Sequence, residues 1–150
     1  MTATTDTAKA HILAALDTFI HQRPGLEYGN YGDQRSYRAE VRSIGKDLQH
    51  ARALLSAVEH SGITGEELAE AFRAYSGRLS WDGSRLEYCT GQYFPTEYRR
   101  AACAVLAQAL WDHYREDYAA TATGNESKGD AIRRNFRRRF GRAIAGRWMD

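Results

Sequence analysis

The sequence predicts a mainly α-helical protein, a bundle of about five helices with one short β-hairpin between helices 3 and 4. Three observations predict this class. Apolar residues recur at helical spacing over several long segments, two of the 150 residues are proline, and no segment repeats. Because 150 residues can bury a core of ordinary size, we expect a single domain over residues 1–150.

The first helix is expected to begin at Thr5 or Asp6 and to end near His21, before the Pro24-Gly25 pair. Its apolar side chains share one wide face: Ile12, Leu13, Leu16, Phe19 and Ile20.

A loop is expected over residues 23–33, where Gly29 and Gly32 permit positive φ angles. Two interpretations of its tyrosines, Tyr28 and Tyr31, stay open. Their rings either stack on a base or a partner surface, or they hold the loop against the body of the protein.

The longest predicted helix spans residues 33–60 and organises the rest of the bundle. Its apolar stripe repeats at alternating steps of four and three, which is typical of helix-on-helix packing: Tyr37, Val41, Ile44, Leu48, Ala51, Leu55 and Val58. The polar residues between them form an expected solvated face: Arg38, Glu40, Arg42, Lys46, Asp47, Gln49 and Arg52. We expect Asp33 to cap this helix and Gly62 to end it in a left-handed conformation. The sequence leaves open whether the stripe also serves a homodimer.

A third helix is expected from Thr64 or Gly65 to about Tyr75, because Thr64 and Glu67 have the spacing of a capping box. Residues 78–88 then favour a hairpin with a two-residue turn at Asp82-Gly83, which would place Leu79 opposite Leu86.

The fourth helix is expected over residues 95–118, where several alanines allow close packing, antiparallel or nearly so, against the 33–60 helix. Residues 119–130 lack an apolar period and are interpreted as an internal linker. Asp130 is expected to cap a basic C-terminal helix over residues 131–149. One ridge of that helix is apolar: Ile132, Phe136, Phe140, Ile144 and Trp148.

Charge is the main functional signal. The formal net charge is +2, but residues 131–150 carry seven arginines and one acid, a sum of +6, so the other 130 residues sum to −4. Arginines can bind phosphate oxygens in pairs, and a basic end on an acidic body indicates an anionic partner. The candidate binding residues are Arg133, Arg134, Arg137, Arg138, Arg139 and Arg142 of this helix, with Tyr28 and Tyr31 of the loop. Docking of the arginines onto the protein's own acidic residues is the competing interpretation.

The sequence predicts no catalytic residues, no metal site and no cofactor. Cys89 and Cys103 form no zinc pattern, and hydrolase, metalloprotease and nucleotide-binding motifs are missing. A catalytic site built from distant residues, for instance His50, His113 and Glu97, stays an alternative. We expect no membrane segment and no secretion signal, and therefore a cytoplasmic protein.

Four segments resemble small uncharacterised proteins carried by phages, plasmids and integrative elements: NYGD (30–33), SGRLSWDG (76–83), TGQYFPTEYRRAA (90–102) and GDAIRR (129–134). The resemblance covers residues 23–150. It implies a mobile genetic element as the context, where accessory proteins accompany foreign DNA and many neighbours inhibit host defences, as anti-CRISPR and antirestriction proteins do. Such inhibitors usually act by occupying a surface.

We therefore expect a non-catalytic accessory protein that binds nucleic acid or a host nucleoprotein complex through its basic C-terminal helix. The alternatives are a protein–protein inhibitor of a host defence system and an enzyme with an unrecognised site.

Overall fold

The computed structural model describes residues 6–21, 34–75, 79–83, 86–88 and 95–150. Residues 34–37, 39–41, 43, 44, 87, 88 and 95–98 are described by their backbone alone. Within these ranges the chain forms six helices and two strands: α1 (Thr7–Ile20), α2 (Gln34–Glu59), α3 (Gly65–Ala74), β1 (Leu79–Trp81), β2 (Leu86–Tyr88), α4 (Pro95–Ala119), α5 (Lys128–Phe140) and α6 (Arg142–Trp148). The predicted mainly helical fold is confirmed.

Helix α4 lies at the centre of the core, with α1, α2, α3 and α5 packed around it. Its segment 101–110 is buried on nearly every side, and Cys103, Val105 and Leu110 have no exposed surface. Small residues such as Ala102 and Ala109 allow neighbouring helices to approach closely. Helices α2 and α3 therefore pack more extensively against α4 than against any other element.

The buried face of α2 differs from the predicted stripe. Asp47, Ala51, Leu54 and Val58 have no exposed surface, whereas Leu48 and Leu55 are only partly buried. These buried positions keep the four-three spacing, but Leu54 replaces Leu55 and Asp47 replaces Leu48. The prediction that Asp47 lies on a solvated face is wrong, because arginines of α4 and α6 pair with it inside the fold.

Helices α2 and α4 run in the same general direction, so the expected antiparallel packing is also wrong. Asp47 of α2 pairs with Arg100 near the start of α4. Further along both helices, Gly62 lies beside His113, whose Nε2 would be 3.8 Å from a Cβ at that glycine. Glu67 at the start of α3 pairs with His113 near the end of α4, so α3 runs opposite to α4 and carries the chain back between the two helices.

The starts of α1 and α3 are capped by side chains. Asp6 caps α1 and accepts from the backbone N of Lys9 at 3.0 Å. The predicted capping box is confirmed, because Thr64 Oγ1 accepts from Glu67 N at 3.1 Å and Glu67 Oε1 accepts from Thr64 N at 3.3 Å. The second oxygen of Asp6 accepts from Gly65 N at 2.8 Å, so one carboxylate joins the starts of α1 and α3.

Two further predictions concern the ends of α2: a cap at Asp33 and a stop at Gly62. Helix α2 ends at Glu59, and the expected left-handed stop at Gly62 is not formed, since Gly62 does not have positive φ. Ser61 Oγ instead donates to Val58 O at 2.7 Å and closes the last turn. The expected cap at Asp33 lies outside the described residues.

Strands β1 and β2 pair antiparallel, in a register different from the predicted one. Leu79 lies opposite Tyr88, and Trp81 lies opposite Leu86. Four positions, 82–85, therefore separate the strands, whereas the predicted two-residue turn would have paired Leu79 with Leu86. Leu79 is 2% exposed and adds this small sheet to the core.

The C-terminal part also differs from its predicted boundaries. Helix α4 continues to Ala119 and α5 begins at Lys128, so the linker is shorter than the predicted 119–130. Ser127, not Asp130, caps α5 and accepts from the backbone N of Asp130 at 3.1 Å. Gly141, with φ 85° and ψ 165°, then divides the predicted helix 131–149 into α5 and α6.

Candidate functional site

The arginines predicted to bind a partner lie on α5 and at the start of α6. Helix α5 carries Arg133, Arg134, Arg137, Arg138 and Arg139, and α6 begins with Arg142. Their helix is held to the core by its apolar face, on which Ala131 and Phe136 have no exposed surface. The charged side chains therefore occupy the remaining faces of α5, where some of them bond to other described residues and others have no partner among these.

Arg134 bonds inside the protein. Its Nε and Nη2 donate to the two carboxylate oxygens of Glu126 at 3.0 and 2.9 Å, and Nη2 also lies 3.1 Å from Thr121 O. This paired geometry lowers the pKa of Glu126 and raises the pKa of Arg134. Arg134 thus holds the linker against α5.

Two further arginines form exposed ion pairs. Arg133 lies 3.4 Å from Asp130, and Arg137 lies 3.6 Å from Asp150. Exposed pairs of this kind contribute little to stability and exchange readily with an external anion. Arg133 and Arg137 are therefore available to a partner at small energetic cost.

Arg139 is oriented by aromatic rings. Its guanidinium carbon lies 4.6 Å from the ring centre of Tyr114 and 5.3 Å from that of Phe140, and its Nη1 donates to Tyr118 Oη at 3.4 Å. Tyr118 packs edge-on against Phe136 at 5.0 Å. These contacts orient the side chain, but no carboxylate of the described residues pairs with its positive charge.

Arg138 and Arg142 are exposed, and no acidic side chain within the described ranges pairs with either. We use the name basic surface for five residues: Arg133, Arg137, Arg138, Arg139 and Arg142. With the two paired acids, Asp130 and Asp150, these five arginines leave a local charge of +3 (five positive, two negative). This surface is the strongest candidate for recognition of an anion.

The two other predicted binding residues, Tyr28 and Tyr31, lie outside the described residues.

The sequence analysis missed two buried charged residues, Asp47 and Arg99, and the polar contacts around them. Arg147 Nη1 lies 2.5 Å from Asp47 Oδ1, and Arg100 Nε donates to Asp47 Oδ2 at 3.3 Å. Arg99 is 2% exposed and donates through Nε to Ile20 O at 3.0 Å. Burial lowers the pKa of the Arg99 guanidinium, and the negative charge of Asp47 opposes that change. The available signal was the step of four from Asp47 to Ala51, which continues the buried four-three pattern.

Residues considered for a catalytic site do not converge in the part of the fold that is described. His50 Nδ1 accepts from Trp148 Nε1 at 3.1 Å, whereas His113 Nδ1 lies 2.7 Å from Glu67 Oε2. Burial opposes ionisation of Glu67, but hydrogen bonds from His113 and Thr64 hold its pKa below the usual value. The two histidines thus serve contacts between helices, and the side chain of Glu97 lies outside the described residues.

Cys103 is buried on α4, and burial raises the pKa of its thiol to about 12. A thiol with such a pKa carries almost no thiolate at neutral pH, so Cys103 is a packing residue. Among the described residues, His, Cys, Asp and Glu form no group of three or more suited to a metal ion.

None of the helices in the described ranges combines the length and the apolar character needed to cross a membrane. Comparisons with models of known families, with curated proteins and with solved structures found no match for this chain. The resemblance to proteins of mobile genetic elements stays a prediction.

Proposed function

We propose that this protein is a non-catalytic binding protein that contacts nucleic acid, alone or within a nucleoprotein complex, through the basic surface. The observation that carries the proposal is the exposure of Arg138 and Arg142, which have no acidic partner among the described residues. Arg139, oriented by Tyr114 and Phe140, adds a third positive group between them in the sequence. A phosphate backbone supplies closely spaced negative charges for such a surface.

The proposed contact is independent of base sequence. The arginines belong to one helix and the first turn of the next. We recognise no helix-turn-helix, zinc-finger or other base-reading motif in the sequence. Phosphate contacts position a protein on nucleic acid without reading its sequence. We therefore expect similar affinity for oligonucleotides of different sequence.

Charge reversal tests the proposal. We expect Arg138→Glu/Arg142→Glu to weaken binding to a 20-nucleotide probe at least about tenfold without loss of folding, because neither side chain bonds within the described structure. Arg134 is unsuitable for this test, since its reversal would disrupt the linker. Fluorescence anisotropy over a salt series measures the effect. Loss of two phosphate contacts should reduce the slope of log K against log salt by about 1.8 for duplex DNA and about 1.4 for single strands.

The matched control is Arg42→Glu/Arg52→Glu, which makes the same charge change at two exposed positions of α2. Equal weakening by both double variants would show that net charge alone is measured and would contradict the proposal. A pull-down from host lysate, with and without nuclease, separates the partner classes. Capture of a protein that survives nuclease and depends on Arg138 and Arg142 would replace nucleic acid with a protein partner.

A further inference from the structure

A second surface with the opposite charge lies away from α5, in the groove between α1 and α2. The groove has a volume of about 530 Å³. Its apolar floor is formed by Ala10, Leu13 and Ala14 of α1 and by Leu55 of α2. Ala10 and Ala14 are exposed, and the two leucines are only partly buried, so these side chains are not fully covered by the rest of the described fold.

The rim of this groove is acidic. Asp6, Asp17 and Glu59 line it, with Lys9 as the single positive side chain there, which gives a local charge of −2 (three negative, one positive). Lys9 Nζ donates to Ser61 O at 2.9 Å, so its ammonium group is directed toward the segment after α2. Glu59 is exposed and pairs with no group in the described ranges.

The spacing along α1 matches one face of a helix. Asp6, Ala10, Leu13 and Asp17 follow one another at steps of four, three and four, and Asp6 and Asp17 are about 16 Å apart along the axis at 1.5 Å per residue. An elongated groove of this length, with an apolar floor and acidic ends, fits about three turns of an amphipathic helix. Small floor residues leave space for the larger apolar side chains of that helix.

We propose that the α1–α2 groove binds a basic amphipathic helix of a partner protein. The apolar stripe of the partner would lie on the alanine and leucine floor, and its lysine or arginine side chains would face Asp17 at one end and Glu59 at the other. Charge complementarity between a rim of −2 and a basic helix supports this occupant. The inference goes beyond the proposed function, because this protein would then join an anionic partner and a cationic one through separate surfaces.

A designed peptide provides the probe. It has 15 residues and capped ends, an apolar stripe at positions i, i+3, i+4 and i+7, and lysines flanking that stripe. We expect it to bind, and we expect Asp17→Lys/Glu59→Lys to weaken binding at least about tenfold in fluorescence anisotropy. A second variant, Ala10→Gln/Ala14→Gln, fills the floor without changing charge and should also weaken binding at least about tenfold. Both alanines are exposed, so this variant is expected to fold.

The control protein is Asp112→Lys/Asp117→Lys, which reverses two exposed acids on α4 and should bind the peptide as the unmodified protein does. A control peptide has the same composition in an order that lacks the stripe and should bind at least about tenfold more weakly. Three outcomes would overturn the proposal. These are no binding up to about 200 μM, equal binding of both peptides, or equal competition by spermine, which would indicate a small cation.

The two functional proposals can be tested independently of each other. Groove variants are expected to bind the oligonucleotide at least as well as the unmodified protein, and Arg138→Glu/Arg142→Glu is expected to bind the peptide without loss. A peptide that binds only when the arginines are intact would contradict the assignment of the groove.

Discussion

At the scale of single residues, the carboxylate of Asp6 serves two helices at once. It accepts from the backbone of Gly65 at the start of α3 and from that of Lys9 in the first turn of α1. Gly65 also permits this contact sterically, because a Cβ at this position would lie 2.5 Å from Lys9 N. The hydrogen bonds from Gly65 and Lys9 lower the pKa of Asp6.

The lowered pKa of Asp6 gives stability a predictable pH dependence. A carboxylate with a depressed pKa in the folded state stabilises the protein above its unfolded pKa of about 3.9, and this contribution is lost as pH falls through the folded value. We therefore expect Asp6→Asn to lower the melting temperature at pH 7, and the difference from the unmodified protein to shrink below about pH 3. Thermal unfolding followed by circular dichroism at both pH values measures this.

Asp117→Asn is the control for this experiment, because Asp117 is exposed and has no partner among the described residues. Its melting temperature should match that of the unmodified protein at pH 7. A melting difference for Asp6→Asn that is the same at both pH values would contradict the role of the charge.

At the scale of elements, Gly141 decides where α5 ends. Its φ of 85° and ψ of 165° lie in a region that is nearly restricted to glycine. No atom lies within 4 Å of the position that a Cβ would occupy, so conformation alone opposes a side chain there. The division places Arg138 and Arg139 before the glycine and Arg142 after it.

We expect Gly141→Ala to destabilise the protein by about 1–3 kcal/mol, the cost of forcing an alanine into this conformation. The matched variant is Gly45→Ala in the exposed middle of α2, where a Cβ also meets no atom within 4 Å. There we expect stabilisation by about 0.5–1 kcal/mol, because alanine favours the helix. Urea unfolding measures both. Stability changes of the same sign would contradict the assigned backbone strain.

At this scale the sequence predicted a helix cap whose residues are close neighbours, but it did not predict an unusual backbone conformation. The capping box of α3 lies within four consecutive residues, Thr64 to Glu67, so the sequence contains all of its chemistry. A single glycine in a helical pattern is often tolerated, and nothing near Gly141 indicates its positive φ. Ser127 and Asp130 are three positions apart, as in a capping pair, and serine and aspartate can both cap a helix. The sequence analysis expected Asp130 as the cap, whereas Ser127 caps α5 in the structure.

At the scale of the whole molecule, Asp47 joins three helices through charge. It lies on α2 without exposed surface and pairs with Arg100 of α4 and Arg147 of α6. The neighbouring contact, from Trp148 to His50, adds a second polar link between α6 and α2. No local pattern could identify these pairs, because Asp47 and Arg147 are one hundred positions apart. These long-range contacts dock α6 against the core, and the basic surface includes Arg142 at the start of α6. The position of that surface relative to the core therefore could not be predicted from the sequence.

We expect Asp47→Asn to destabilise the protein by about 1–3 kcal/mol, since it removes the buried carboxylate that pairs with the partly exposed Arg100 and Arg147. Asp112→Asn, at an exposed position of α4, should change stability by less than about 0.5 kcal/mol. The midpoints of urea unfolding give both values. A small effect of Asp47→Asn would show that water solvates the arginines and that the network contributes little.

The separation between Asp47 and Arg147 also has a kinetic consequence. Each helix forms its own backbone bonds locally, but this ion pair closes a chain segment of one hundred positions, which carries a large loop entropy. We therefore expect Asp47 to stay hydrated while α2 forms and to lose its water when α4 and α6 dock. Desolvation of the most buried acid in the described fold would then follow local helix formation.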